Sequence, residues 1–130
     1  MKLAFLLGAA ALATLSTAAF AEDYASGAVK TSEIGGKEVL TDANGMTLYT
    51  YDKDTAGVSN CYDKCATNWP PLMVSADAKA EGDFTIVDRT DGTKMWAYKG
   101  MPLYLWVKDT KPGDTTGDGV GEVWHTAVEK

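Results

Sequence analysis

The chain has 130 residues with 12 basic and 18 acidic side chains, a formal charge of −6, and its length suits one domain with a modest core. An acidic chain repels phosphate backbones and anionic lipid heads, which argues against nucleic acid as a partner. With two cysteines and one histidine, it has room for one disulfide, and any Cys–His or Ser–His pair is confined to the surroundings of His125.

The first element in chain order is a leader. Lys2 precedes an apolar run, Leu3–Leu15, and small residues ending in Ala19-Phe20-Ala21; this is the order of a secretory signal peptide over residues 1–21. The run is short of the roughly 20 apolar residues that a membrane span needs. Cleavage after Ala21 is expected to leave Glu22 first, in a mature chain of 109 residues with charge −7, because Lys2 is the only charge removed. No cysteine lies near that point to take a lipid anchor. The expectation is a periplasmic or secreted protein, with residues 22–130 as one domain and no transmembrane segment in the mature chain.

Three strands are predicted next, at Ala28–Glu33, Glu38–Thr41 and Met46–Tyr51, with turn chemistry at Gly35-Gly36 and Asn44-Gly45. Ser59-Asn60-Cys61-Tyr62-Asp63-Lys64-Cys65-Ala66 follows, where Ser59 is placed to cap a single helical turn. Cysteines four apart share one face of such a turn. An even cysteine count in an exported chain reads first as a disulfide, here one that fixes a local turn. A fourth strand is predicted at Trp69–Val74, and Pro70 and Pro71 limit it to an edge or a strand end.

From there the chain repeats. Adding 55 to Gly45, Met46, Leu48, Tyr49, Lys53, Asp54 and Thr55 lands on Gly100, Met101, Leu103, Tyr104, Lys108, Asp109 and Thr110, and the same shift carries Trp69 to Trp124. The second copy then has strands at Asp83–Asp88, Thr93–Tyr98, Met101–Val107 and Val123–Val128, with turns at Thr90-Asp91-Gly92 and Lys99-Gly100. In place of the cysteine turn it has Lys111-Pro112-Gly113-Asp114-Thr115-Thr116-Gly117-Asp118-Gly119, which is irregular and turn-rich. The predicted fold is all-β with minor α. Two tandem four-stranded antiparallel repeats, at about 28–74 and 83–128, bury one face against each other as a pseudo-two-fold sandwich or small barrel. Strand alternation puts Leu48, Leu103 and Leu105 on an aliphatic core face and Tyr49, Tyr51, Tyr104 and Trp106 on the other.

At these residues the chain resembles the secreted-repeat family known for its Y-x4-D motif, whose members are often described as predicted lipoproteins. Tyr49–Asp54 and Tyr104–Asp109 fit the motif, each with an aromatic residue, Tyr51 or Trp106, two positions after the tyrosine. Cys61-x3-Cys65-Ala66-x2-Trp69-Pro70-Pro71-Leu72 and Pro112–Gly119 are similar to the family as well, so the likeness spans roughly residues 36–127. It implies an exported protein of undetermined activity and brings no catalytic residues with it.

The chemistry-bearing residues point to binding rather than catalysis. Asp54 and Asp109 are expected to accept hydrogen bonds that close strand-to-loop turns. Together with Tyr49, Tyr51, Tyr104 and Trp106 they outline a binding surface of flat aromatic area for a protein or small-molecule ligand. Asp114, Thr116 and Asp118 carry oxygens at the first, third and fifth positions of a calcium-like loop, but its twelfth position is His125 instead of glutamate. Calcium or a transition metal is the cofactor class this admits, and none is firmly implied. A thiol site of Cys61, Cys65 and His125 is the metal alternative. No G-x-S-x-G or H-E-x-x-H motif is present. The expected function is an exported, non-enzymatic binding module; the alternative is a redox- or metal-handling accessory protein of the cell envelope using Cys61 and Cys65.

Overall fold

The computed structural model describes residues 23–130, and the expected signal peptide lies outside them. Strands β1 (Asp23–Tyr24), β2 (Val29–Ile34) and β3 (Lys37–Asp42) form one antiparallel sheet in that order. Strand β4 (Tyr49–Tyr51) pairs with the last strand, β8 (Trp124–Thr126). Between them in sequence lie a short helix, α1 (Lys64–Asn68), and the sheet of β5 (Phe84–Asp88), β6 (Lys94–Tyr98) and β7 (Met101–Pro102). Two 3-10 turns complete the described residues, at Ala25–Gly27 and Val120–Glu122. The fold is mostly antiparallel β with one short helix, and none of the three sheets closes into a barrel.

Local chemistry sets the hairpins. Ile34 faces Lys37 across Gly35-Gly36, whose φ angles are 60° and 82°; a two-residue turn with both φ positive matches the twist of the flanking strands. Tyr98 faces Met101 across Lys99-Gly100 in the same way. The predicted helical turn sits further along the chain than expected. Ser59 does not cap it, because α1 begins at Lys64 and its N-cap position is Asp63, with no side-chain cap bond.

The fourth strands change places between the repeats. In one half, Leu48 N–H donates to the Leu40 carbonyl at 2.9 Å, Leu40 N–H to Ala127 at 2.8 Å, and Ala127 N–H to Leu48 at 2.8 Å. In the other half, Leu103 donates to Trp96, Trp96 to Leu72 and Leu72 to Leu103, each at 2.9 Å. Ala127 lies 55 positions after Leu72, as Leu103 does after Leu48. Each ring of three bonds therefore joins two strands of one repeat to the fourth segment of the other. The first such segment makes only isolated bridges, Pro71 to Tyr104 and Met73 to Met95, because its prolines have no N–H to donate. The expected strand over Met101–Val107 is likewise reduced to β7 and the bridge at Tyr104.

Both faces of these strands are buried. Leu40, Leu48, Leu72, Phe84, Trp96, Tyr98 and Leu103 belong to one core cluster, whereas Tyr49, Trp69, Val87, Met95, Tyr104 and Trp124 belong to a second. The period-two alternation sends Leu48 to the first and Tyr49 to the second, and does the same with Leu103 and Tyr104. The face expected to display aromatics is thus itself largely a core.

Candidate functional site: an aromatic column with crossed tyrosine–aspartate bonds

The second core is organised by the repeat. Trp69 and its counterpart Trp124 stack face to face, with centroids 3.8 Å apart and planes 3° apart. Trp106 stacks on Trp69 at 3.9 Å, and Tyr51, which corresponds to Trp106, stacks on Trp124 at 4.2 Å. The result is a four-ring column in the order Tyr51, Trp124, Trp69, Trp106. Its inner rings are each 4% exposed, and its outer rings are half-buried. Tyr49 stands edge-on to Trp69 at 5.3 Å and Tyr104 edge-on to Trp124 at 5.2 Å, the orientation that a ring quadrupole favours.

The two Y-x4-D motifs are bonded crosswise. Tyr49 Oη donates to Asp109 Oδ2 at 2.6 Å, and Tyr104 Oη donates to Asp54 Oδ2 at 2.6 Å. Each phenol reaches the carboxylate of the other repeat. The remaining oxygen of each carboxylate closes its own loop, as expected: Asp54 Oδ1 accepts from Asn60 N–H at 2.6 Å, and Asp109 Oδ1 accepts from the Thr116 N–H and hydroxyl at 2.9 and 2.6 Å. Tyr49 and Tyr104 are 0% exposed, so the binding surface predicted through them is not available at these two rings. Of the six residues assigned to that surface, Tyr51 and Trp106 are half-buried and the other four are buried.

Burial raises both phenols above their ordinary pKa, and the adjoining carboxylate, Asp109 or Asp54, raises each further. Burial also raises the Asp54 carboxyl, opposed by the hydrogen bonds from Tyr104 and Asn60 and by the charge of Arg89.

Arg89 is the residue that sequence reading missed. It is the only arginine in the chain and is buried, where Nη1 donates to Ser59 Oγ at 2.8 Å and Nη2 donates to the Cys61 carbonyl at 2.7 Å. Its guanidinium lies 4.2 Å from the Tyr62 ring centroid. Ser59 Oγ is 2.6 Å from Tyr104 Oη; because the phenol proton goes to Asp54, the serine is the donor there. The one available signal was a single guanidinium in a lysine-rich set of cations, placed at a strand end before a Thr-Asp-Gly turn.

Cys61 and Cys65 are joined in a disulfide, with Cys61 buried against the second core. The predicted metal ligands do not converge. Asp114 binds Lys111 Nζ and the Thr110 N–H, the Thr116 hydroxyl serves Asp109, and Asp118 accepts from the Thr126 N–H. His125 Nε2 is 2.8 Å from Asp52 Oδ2. Among the described residues no three His, Cys, Asp or Glu side chains gather in a way that holds a metal ion. The oxygens of the calcium-like loop are engaged instead by the Lys111 ammonium, the Thr110 and Thr126 amides and the Asp109 carboxylate. The thiol alternative fails because the sulfurs are bonded to each other.

A family model described as a secreted repeat of unknown function matches twice, over residues 28–73 and 85–128. No curated protein and no solved structure matches the chain. Among the described residues no helix is long and apolar enough to cross a membrane.

Proposed function

Because the chain belongs to this family of secreted repeats, we propose that it is an exported, non-enzymatic interaction module, periplasmic or secreted, whose contact strip is the ends of the aromatic column. The observation that carries the reading is that two half-buried rings, Tyr51 and Trp106, are each backed face to face by a buried tryptophan. Such rings offer flat apolar area that is already ordered, so little entropy is lost when a ligand covers them. Val107, 49% exposed beside Trp106, extends the strip, and Lys108 Nζ lies 5.9 Å from the Trp106 ring. A peptide or a small ring compound such as a sugar matches this chemistry.

The test is an amide and indole NMR titration of the mature chain with soluble peptidoglycan fragments and with short peptides. Shifts centred on Trp106, Val107 and Tyr51, abolished in Trp106→Ala, are expected. Shifts confined to other surfaces, or full binding by the variant, would overturn the reading.

A further inference from the structure

Packing alone asks only for rings in the second core. Phenylalanine in place of Tyr49 and Tyr104 would fill nearly the same volume and leave no buried hydroxyl to satisfy. Instead both positions carry a phenol, and each phenol is matched to a buried carboxylate at 2.6 Å. The column beside them is continuous, with centroid separations of 4.2, 3.8 and 3.9 Å and interplanar angles of 12°, 3° and 24°. Rings this close and this parallel overlap in π density, so an electron vacancy on one passes readily to the next. Each buried phenol touches that column through an inner indole. A phenol gives up an electron easily only when its proton has somewhere to go, and here the acceptor is already hydrogen-bonded and needs no water.

We propose that the column is a one-electron relay that collects oxidising equivalents at its exposed ends and holds them on a buried tyrosine. A one-electron oxidant of the radical class, meeting the exposed edge of Trp106 or Tyr51, takes one electron from the column and is reduced. The vacancy moves to Tyr49 or Tyr104 as that phenol supplies an electron to its neighbouring indole. The phenol O–H bond breaks, a carboxyl O–H bond forms on Asp109 or Asp54, and a neutral tyrosyl radical remains; the protein's net charge has risen by one. A small-molecule one-electron reductant at the same exposed edges reverses each step, and the proton returns from carboxyl to phenol. Burial of Asp54, which raises its carboxyl, favours its holding that proton. Met95 lies in the same core cluster, so a vacancy resting on tyrosine leaves its thioether unoxidised.

This activity does not depend on the binding reading, and its test shares no readout with it. The mature protein would be flash-photolysed with a ruthenium polypyridyl sensitiser and persulfate, and radicals followed by EPR and transient absorption. The expected result is a hydrogen-bonded tyrosyl signal that persists after radicals on exposed tyrosines have decayed by coupling between molecules. It should be lost in the Tyr49→Phe/Tyr104→Phe double variant and reduced in Trp69→Phe, which interrupts the column. Should the double variant not fold, Asp109→Asn keeps the Tyr49 phenol and removes its proton acceptor, and formation of that radical should slow roughly a hundredfold, the scale of losing a positioned base. No persistent tyrosyl in the wild type, or an undiminished one in the variants that fold, overturns the proposal.

Discussion

A buried hydroxyl needs a partner, and Tyr49 has two at its oxygen: it donates to Asp109 and accepts from the Gly117 N–H at 3.2 Å, while its ring sits edge-on to Trp69. Replacing it with phenylalanine keeps the ring contact but strands one oxygen of a buried carboxylate. Hydrogen bonds to charged groups contribute about 1.5–3 kcal/mol, so Tyr49→Phe should lose about that much in urea denaturation. The pH consequence follows from the raised phenols. In the unfolded chain Tyr49 and Tyr104 ionise near 10.0, whereas in the fold they resist ionisation. Their contribution to stability is complete below that pH and is lost as pH rises beyond it. On ultraviolet titration, two of the six tyrosines should stay protonated until the protein unfolds in base, and Tyr49→Phe should reduce that silent count to one. The residue types of this site were legible in the sequence, but not their partners. A spacing of five suggests a bond within one motif, and nothing in the spacing says that the carboxylate belongs to the other repeat. Arg89 was illegible for a different reason: a single cation in an acidic chain reads as a solvated charge unless the groups that enclose it are known.

At the level of elements, the two copies differ most between their third and fourth strands, and each insert closes over one end of the second core. In the first copy the closure is the disulfide. Its loop is short, and loop-closure entropy for a separation of four amounts to about 2 kcal/mol. Cys61→Ala/Cys65→Ala should therefore remain folded, with a thermal midpoint lower by several degrees. In the second copy the closure is the 111–119 loop, where the Thr47 hydroxyl donates to the Asp114 carbonyl at 2.7 Å. Lys111 and the Thr110 amide hold the Asp114 carboxyl down at about 2, against an ordinary 3.8. A lowered carboxyl contributes stability above its unfolded pKa and loses it as pH falls through the folded value. The stability advantage of the wild type over Asp114→Asn should accordingly shrink between pH 3.8 and about 2, as measured by chemical denaturation across that range. The Asp/Gly pattern of this loop was easy to see, but its purpose was not. A sequence of oxygen donors looks the same whether the oxygens face a cation or their own backbone amides.

On the scale of the whole molecule, the repeat is the property that the sequence displayed most openly, since one offset aligned strands, turns and the tryptophan pair. The exchange of fourth segments was hidden, because an offset maps each copy onto the other and is silent about which copy a strand joins. The turn residues located the hairpins well, as Gly35-Gly36 and Lys99-Gly100 do, whereas the prolines of the first fourth segment left it with bridges in place of a strand. The connection between the halves, residues 75–83, must carry the chain from the Val74–Lys94 contact to Phe84 beside Tyr98.

The crossed strands also bear on dilution. A lone repeat, needing a fourth segment, a carboxylate and an inner indole from elsewhere, would complete its fold only by meeting another molecule, and its midpoint would drift downward as it became scarcer. Two copies in one chain make that encounter intramolecular, at an effective concentration set by the nine residues between them. For a member of a secreted family, first-order assembly keeps the fold intact at any abundance.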